Sequence, residues 1–283
     1  MAEVAGLMQL ELPDAGGVTW SVCLRDAEGT TLAAEHPEVP LRTASVGKVL
    51  LLLETARGLV AGDLSPDEPL TRSVDLWVGD SGLWHTLSVE TLPLVDVAAL
   101  VGAVSDNLAT NVLLRRVGLA EVAARATALG LRSTALHDRV RDVRSDDHPA
   151  TLSTGNAAEL SSLMVRLANG TAIGPEPDRL VRQWLSANVD QSMVGSVLVD
   201  QAGLDPIAHH VSLGEERVLW NKTGTDAGVR ADVGAVTAGG RTVAWAAVAN
   251  WDPAVGTSLD HLTVWAVLRG MRQVGELVLD AVA

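Results

Sequence analysis

The sequence contains no tyrosine, no phenylalanine, one cysteine and only two lysines. Without Tyr or Phe, the interior has to be filled by Leu, Val and Ala, with eight Trp as the only large rings. The single Cys23 cannot close an intramolecular disulfide and leaves no CxxC or zinc pattern. Cationic charge is short overall: 21 Lys plus Arg stand against 35 Asp plus Glu, a formal charge of −14. Nucleic acid and anionic membrane both demand cationic surface, so neither is expected as a partner. The longest apolar runs, such as Val243 to Ala249, fall far below the roughly 18 residues of a membrane span. Residues 1–17 carry neither a basic segment nor a long apolar one, so no secretory signal is visible. The expectation is a cytoplasmic protein as the sequence stands, or an exported one if a leader has been removed.

At 283 residues, 47% hydrophobic and 20% charged, the chain can bury a sizeable core in one large domain or two interleaved ones. Residues 17–37 read as a β-hairpin about a turn at Asp26–Gly29. Residues 216–251 read as three strands, separated by a loop at Thr225–Gly228 and a turn at Gly239–Gly240, and a helical pattern closes the chain from about Leu259 to Val282. Between these β regions, residues 45–62, 95–118, 119–130, 155–170 and 178–190 carry apolar residues at three- and four-residue spacing. This order predicts an α/β chain of the layered α+β kind, with one antiparallel sheet built from both termini. The expected domains are 1–42 plus 190–283 around the sheet and an all-helical insert over 43–189, with a site in the cleft between them.

Nineteen of the 21 cationic side chains are Arg, which leaves Lys48 and Lys222 to be explained. Lys48 follows Ser45 by three residues at the start of an apolar helix, so hydroxyl and ammonium share a face. A serine hydroxyl is a poor nucleophile until a base takes its proton. Lys can act as that base if burial or a nearby cation lowers its pKa, whereas Arg cannot. Alone the pair also reads as a helix cap followed by a surface lysine. Lys222 lies in the strand segment Asn221-Lys-Thr-Gly-Thr225, which alone reads as an exposed strand before a turn. Both lysines falling by accident into SxxK and K(S/T)G patterns has odds on the order of one in a thousand. Ser105-Asp-Asn107 sits just before a helical run and alone reads as an N-cap.

Ser45-Val-Gly-Lys48, Ser105-Asp-Asn107 and Lys222-Thr-Gly224, in that order, resemble the three signatures of class A β-lactamases and penicillin-binding proteins. The likeness extends from about residue 18 to 280, through "NAAELSSLMVRLANG", "QWLSANVDQSMVGSVL", "GVRADVGAV" and "TSLDHLTVWAVLRGM". Relatives with Tyr in place of the first Ser of the second signature are excluded, since the chain has no Tyr. The resemblance implies a β-lactamase-like fold with an antiparallel sheet of about five strands. It implies Ser45 as acyl-accepting nucleophile, Lys48 as its base, and Ser105 as proton relay to the departing nitrogen, polarised by Lys48 and Lys222. Asn107 would hydrogen-bond the substrate's amide side chain. Lys222, Thr223 and Thr225, beside Gly224, would bind a substrate carboxylate. The N–H groups of Ser45 and Thr225 would form an oxyanion hole. Arg230 reads equally as a further carboxylate clamp or as a surface strand arginine. No cofactor or metal is implied; the expected partner is a small β-lactam, ester or amide bearing a carboxylate, and the expected state is a monomer.

The pattern fails at one place. The family's deacylating Glu should precede "TLSTGNAAEL", but the segment "LHDRVRDVRSDDHPA" places Arg141 there and holds no Glu. Asp142, Asp146 or Asp147 could substitute as the water-activating carboxylate, Asp142 first; pairing with Arg139, Arg141 and Arg144 is the plainer reading of all three. The functional expectation is therefore a serine hydrolase that hydrolyses or is acylated by β-lactams, with an esterase, amidase or DD-peptidase on the same fold as the alternative. His137 and His148 flank the aspartate-rich segment and could in principle join a metal site, though none is expected, and His209-His210, without HExxH spacing, reads as polar loop. Trp77 and Trp84 are assigned to core packing.

Overall fold

A computed structural model describes residues 7–13, 17–201, 217–253 and 258–283; the His209-His210 pair lies outside the described residues. The chain opens with β1 (Thr19–Asp26), β2 (Thr31–Glu35) and a short β3 (Leu41–Arg42), followed by a 3-10 turn (Ala44–Gly47) that runs into α1 (Lys48–Ala61). After β4 (Pro69–Thr71) and β5 (Thr91–Pro93) come α2 (Leu94–Val104), α3 (Asn107–Val117) and α4 (Leu119–Ala128). Next are β6 (Ala135–Leu136), β7 (Ser153–Gly155), α5 (Ala157–Ala168), α6 (Pro175–Ser186) and α7 (Gly195–Gln201). The hairpin strands β8 (Arg217–Asp226), β9 (Val229–Ala238) and β10 (Arg241–Asn250) precede the last helix, α8 (Ser258–Val282).

The main sheet has five strands in the order β2-β1-β10-β9-β8, antiparallel throughout, so the two ends of the chain meet where β1 pairs with β10. The period-2 alternation of β10 divides the interior. Ala244, Ala246 and Val248 join the core that includes α1 to α6, while Val243, Trp245, Ala247 and Ala249 join the core shared with α7 and α8. Buried on both faces, β10 reads as an unbroken apolar run from Val243 to Ala249. α1 carries Leu50 to Leu53 and is buried nearly all round, and its one acid, Glu54, is held by Arg57 at 2.7 Å and Arg125 at 2.8 Å.

Three expectations are corrected. β8 continues through Thr225 to Asp226, so the loop shrinks to Ala227-Gly228, where Gly228 (φ +66°) supplies the left-handed turn. The helix expected over 178–190 starts at Pro175 and ends at Ser186. The stretch 95–118 is two helices, interrupted at Ser105 in the left-handed conformation (φ 54°, ψ 32°). The strands of two or three residues, β3 to β7, give no sequence signal because they are too short to show alternation. Among the described residues no helix is long and apolar enough to cross a membrane.

Candidate active site

Ser45 sits in the 3-10 turn that leads into α1, directly after Ala44 at φ +47°. A left-handed alanine is strained and persists only where its surroundings hold it. Here Ser153 of β7 does so: its hydroxyl donates to the Ala44 carbonyl at 2.6 Å and bonds the Thr43 hydroxyl at 2.7 Å, while its carbonyl accepts from Thr43 N–H at 3.1 Å. A Cβ at Gly47 would lie 2.4 Å from the Ser153 Cβ, which explains the glycine between Ser45 and Lys48. As one of the first residues of a helical segment, Ser45 has a backbone N–H with no intrahelical acceptor.

Lys48 is fully buried, and its Nζ donates to Ser105 O at 2.7 Å, Asn107 Oδ1 at 2.7 Å and Ser105 Oγ at 3.2 Å. Burial, and next the repulsion of the Lys222 ammonium, hold its pKa well below the ordinary lysine value; Asp106 and Asp80 pull it back only in part. The Ser105 backbone turns left-handed so that hydroxyl and carbonyl both face this amine. The capping reading of the tripeptide holds for its middle member: Asp106 Oδ1 accepts from Ala109 N–H at 2.8 Å, and Oδ2 accepts from Leu83 and Trp84 N–H at 2.7 and 2.8 Å.

Lys222 is also fully buried, donating from Nζ to Thr223 O at 2.8 Å. Burial lowers its pKa to about 8, against the opposing pull of Asp190 and Asp232. Thr223 Oγ1 donates to Asp190 Oδ2 at 2.7 Å. Gly224 packs against the turn that carries Ser45, where a Cβ would lie 2.2 Å from Thr43 O and 3.2 Å from Ser45 N. No other residue type fits between the strand and the turn.

Ser45, Ser105, Asn107, Thr223, Thr225 and Asp142 line one cleft of about 510 Å³, with the two lysines buried behind it. Arg230 is placed apart: it lines a neighbouring cavity of about 330 Å³ that shares Asp80, Thr225 and Asp226 with the cleft. Its Nη1 donates to Asp226 O at 3.2 Å and Val229 O at 2.8 Å, and its guanidinium lies 5.8 Å from the centre of the Trp251 ring.

The expected ion pairing of the loop aspartates is corrected. Arg141 and Arg144 both bind Asp138, at 2.7 Å each, because that buried carboxylate offers the stronger partner. Asp142, exposed at the cleft, makes no ion pair among the described residues, and neither do Asp146 and Asp147. Arg141 lines the cleft, as its place in the sequence suggested. His137 bonds Thr154 and His148 bonds Ser145, and no group of three metal-ligating side chains occurs among the described residues. Trp84 is buried as expected, but Trp77 is half exposed, its ring set edge-on to His85 at 6.3 Å.

The reading from sequence missed Asp190 and Asp232. Asp232 is fully buried on β9 and accepts from Val194 N–H (3.0 Å), Asn221 Nδ2 (3.1 Å) and Trp245 Nε1 (3.3 Å). Burial raises it to about 7 despite the donors from Asn221 and Trp245. Its signal was available: a lone acid inside the apolar run "VRADVGAV" needs a partner. Asp190 lies in a loop between α6 and α7 and gave no signal.

A model of the β-lactamase enzyme family matches residues 5–255. No curated protein matches the chain. Among solved structures, a β-lactamase from Sphaerobacter thermophilus DSM 20745 superposes with a TM-score of 0.78 at 22% identity, covering 95% of this chain and 93% of that one. A class A β-lactamase from Mycobacterium abscessus gives 0.74 at 17% identity, covering 95% of each chain. A mutant of PBP-A, described as an acyl-enzyme complex with penicillin G, gives 0.74 at 20% identity, covering 94% of this chain and 90% of that one. At these identities the likeness shows the fold alone, and the expected β-lactamase-like architecture holds.

Proposed function

The chain belongs to the β-lactamase enzyme family, and from that premise we propose that it is a serine hydrolase working through an acyl-Ser45 intermediate. The observation that carries this reading is the fully buried Lys48 amine within 3.2 Å of the Ser105 hydroxyl, three residues from a serine that lines the cleft. With its pKa lowered, Lys48 takes the proton of Ser45 as Oγ adds to the acyl carbon. The N–H groups of Ser45 and Thr225 hold the developing oxyanion. The proton then passes from Lys48 through Ser105 Oγ to the leaving nitrogen or oxygen, whose bond to the acyl carbon breaks. Water adds to the ester in a second step, releasing the acid and restoring Ser45. Asn107 orients the acyl side chain. The cleft in this reading lies between a sheet domain (1–42 plus 190–283) and a helical one (43–189).

Penicillins are the first donors to try, since the PBP-A mutant carries penicillin G as an acyl group. Asp142, facing the cleft without an ion pair among the described residues, is assigned to activating the deacylating water. Arg141, standing where the family would have Glu, favours a second reading in which the acyl donor is a non-lactam ester or amide. Intact-protein mass after mixing with a penicillin, and separately with an activated neutral ester, tests both. A Ser45-dependent adduct from the penicillin that clears, and persists in Asp142→Asn, supports β-lactam turnover. An adduct from the ester alone supports the second reading. Identical traces for wild type and Ser45→Ala overturn the proposal.

A further inference from the structure

The end of the cleft beside β8 is arranged against anions. Thr223 Oγ1, one of two threonine hydroxyls on that wall beside Thr225, is already bonded to Asp190 Oδ2. Asp190 is fixed by more than this contact. Its Oδ1 accepts from Ser192 Oγ at 2.6 Å and Ser192 N–H at 3.1 Å, its N–H donates to Asn188 Oδ1 at 3.2 Å, and its carbonyl accepts from Asn188 Nδ2 at 3.1 Å. Asn188 is in turn buried and tied to Asn221, next to Lys222. Burial alone would raise the Asp190 pKa, but hydrogen bonds from Ser192 and Thr223 and the charge of Lys222 leave it below the ordinary value, so the group is a carboxylate at neutral pH.

Lys222 keeps Asp190 ionised but does not itself line the cleft. Lys222 is buried behind the strand with Nζ on Thr223 O, and the Arg230 guanidinium is turned to the carbonyls of Asp226 and Val229. Asp80 and Asp226 line the same end, beside Thr225. A substrate carboxylate brought to Thr223 would have to displace Asp190 from its hydrogen bond and then sit against it. Like charges at contact distance repel strongly when partly desolvated.

We propose that Asp190 is a specificity-determining residue that occupies the place of a substrate carboxylate, so that the acyl donors of this enzyme are esters or amides bearing no anionic group at the Thr223–Thr225 end. This rests on Ser45 being the acyl acceptor; it favours the second reading above, a non-lactam ester or amide, over penicillins, and it replaces the carboxylate-bearing substrate expected from the signatures. The test compares two phenylacetyl thioesters that differ only in the leaving thiol, thioglycolic acid or its primary amide, with thiol release followed in wild type, Ser45→Ala and Asp190→Asn. Wild type should favour the amide over the acid by about tenfold or more, and Asp190→Asn should reduce that ratio by about tenfold. A wild-type protein that takes the acid equally well, or a ratio unmoved in the variant, overturns the assignment while leaving Ser45 catalysis intact. Thiol release that is the same in Ser45→Ala overturns the hydrolase reading itself. Should Asp190→Asn fail to fold, salt does the work on wild type: raising ionic strength should narrow the preference by screening Asp190, and an unchanged ratio counts against it.

Discussion

Lys48 and Lys222 are both wholly buried and both border the cleft wall, yet their neighbours differ in kind. Lys48 is bonded to neutral oxygens, the carbonyl and hydroxyl of Ser105 and the amide of Asn107. Lys222 lies in the field of two carboxylates, Asp190 and Asp232. Burial depresses both and two acids raise each, Asp106 and Asp80 for Lys48 and Asp190 and Asp232 for Lys222, but Lys48 also feels the repulsion of Lys222 and stays well below the ordinary value, while Lys222 stands at about 8. In the proposed mechanism the same side chain therefore serves as a proton acceptor at the start of α1 and as a positive charge on β8. Burial makes an amine available as a base, and since each amine has two acids in its field, the repulsion that Lys222 exerts on Lys48 sets the two apart.

The sharpest way to break this comparison is Lys48→Met. It should slow acylation of Ser45 by about 10²- to 10⁴-fold in intact-mass time courses, and by more than any fall in the urea midpoint from the lost Nζ hydrogen bonds accounts for. Loss below tenfold would remove Lys48 from the mechanism. Lys222→Met should cost less and leave a different mark. Without its repulsion the Lys48 pKa rises, so the pH at which acylation reaches half its maximum moves upward; a shift downward, or none, contradicts the coupling.

Asp106 ties the second signature to the loop above it, and Asp106→Ala strands three N–H groups, those of Leu83, Trp84 and Ala109. A loss of about 2–4 kcal/mol in denaturant unfolding is expected. The smallest effect concerns the acid beneath Lys222. Asp232, raised to about 7 when folded, keeps its proton where the unfolded carboxyl has lost it, so stability should fall as pH rises from about 4 to 7. Asp232→Asn should flatten that slope in urea titrations at several pH values. An equal slope in the variant would place the proton elsewhere.

The fold was legible wherever a run was long enough to show its period: the hairpin β1–β2, the three C-terminal strands and the helices with Leu- and Ala-rich stripes. The short strands were not, and one of them, β7, holds the strained turn at Ala44 through Ser153. For the site, Ser45 and Lys48 were singled out by spacing, because two lysines in an arginine-using chain ask for a chemical reason, whereas Ser105 was assigned only through the family signature. Asp190 could not be found that way. Its role depends on a loop carrying it to Thr223, a distance of 33 residues along the chain. Likewise Asp142 looked ready to pair with its neighbouring arginines until burial of Asp138 drew two of them away.

The account stands on Ser45 carrying the acyl group, so the most direct measurement is tandem mass mapping of the protein after brief exposure to an activated ester, with and without Lys48→Met. The acyl mass should sit on the peptide containing Ser45, on that residue, at near one equivalent, and should be largely absent from the Lys48 variant over the same time. Acyl mass spread over other residues, or equal labelling when Lys48 is replaced, would contradict it.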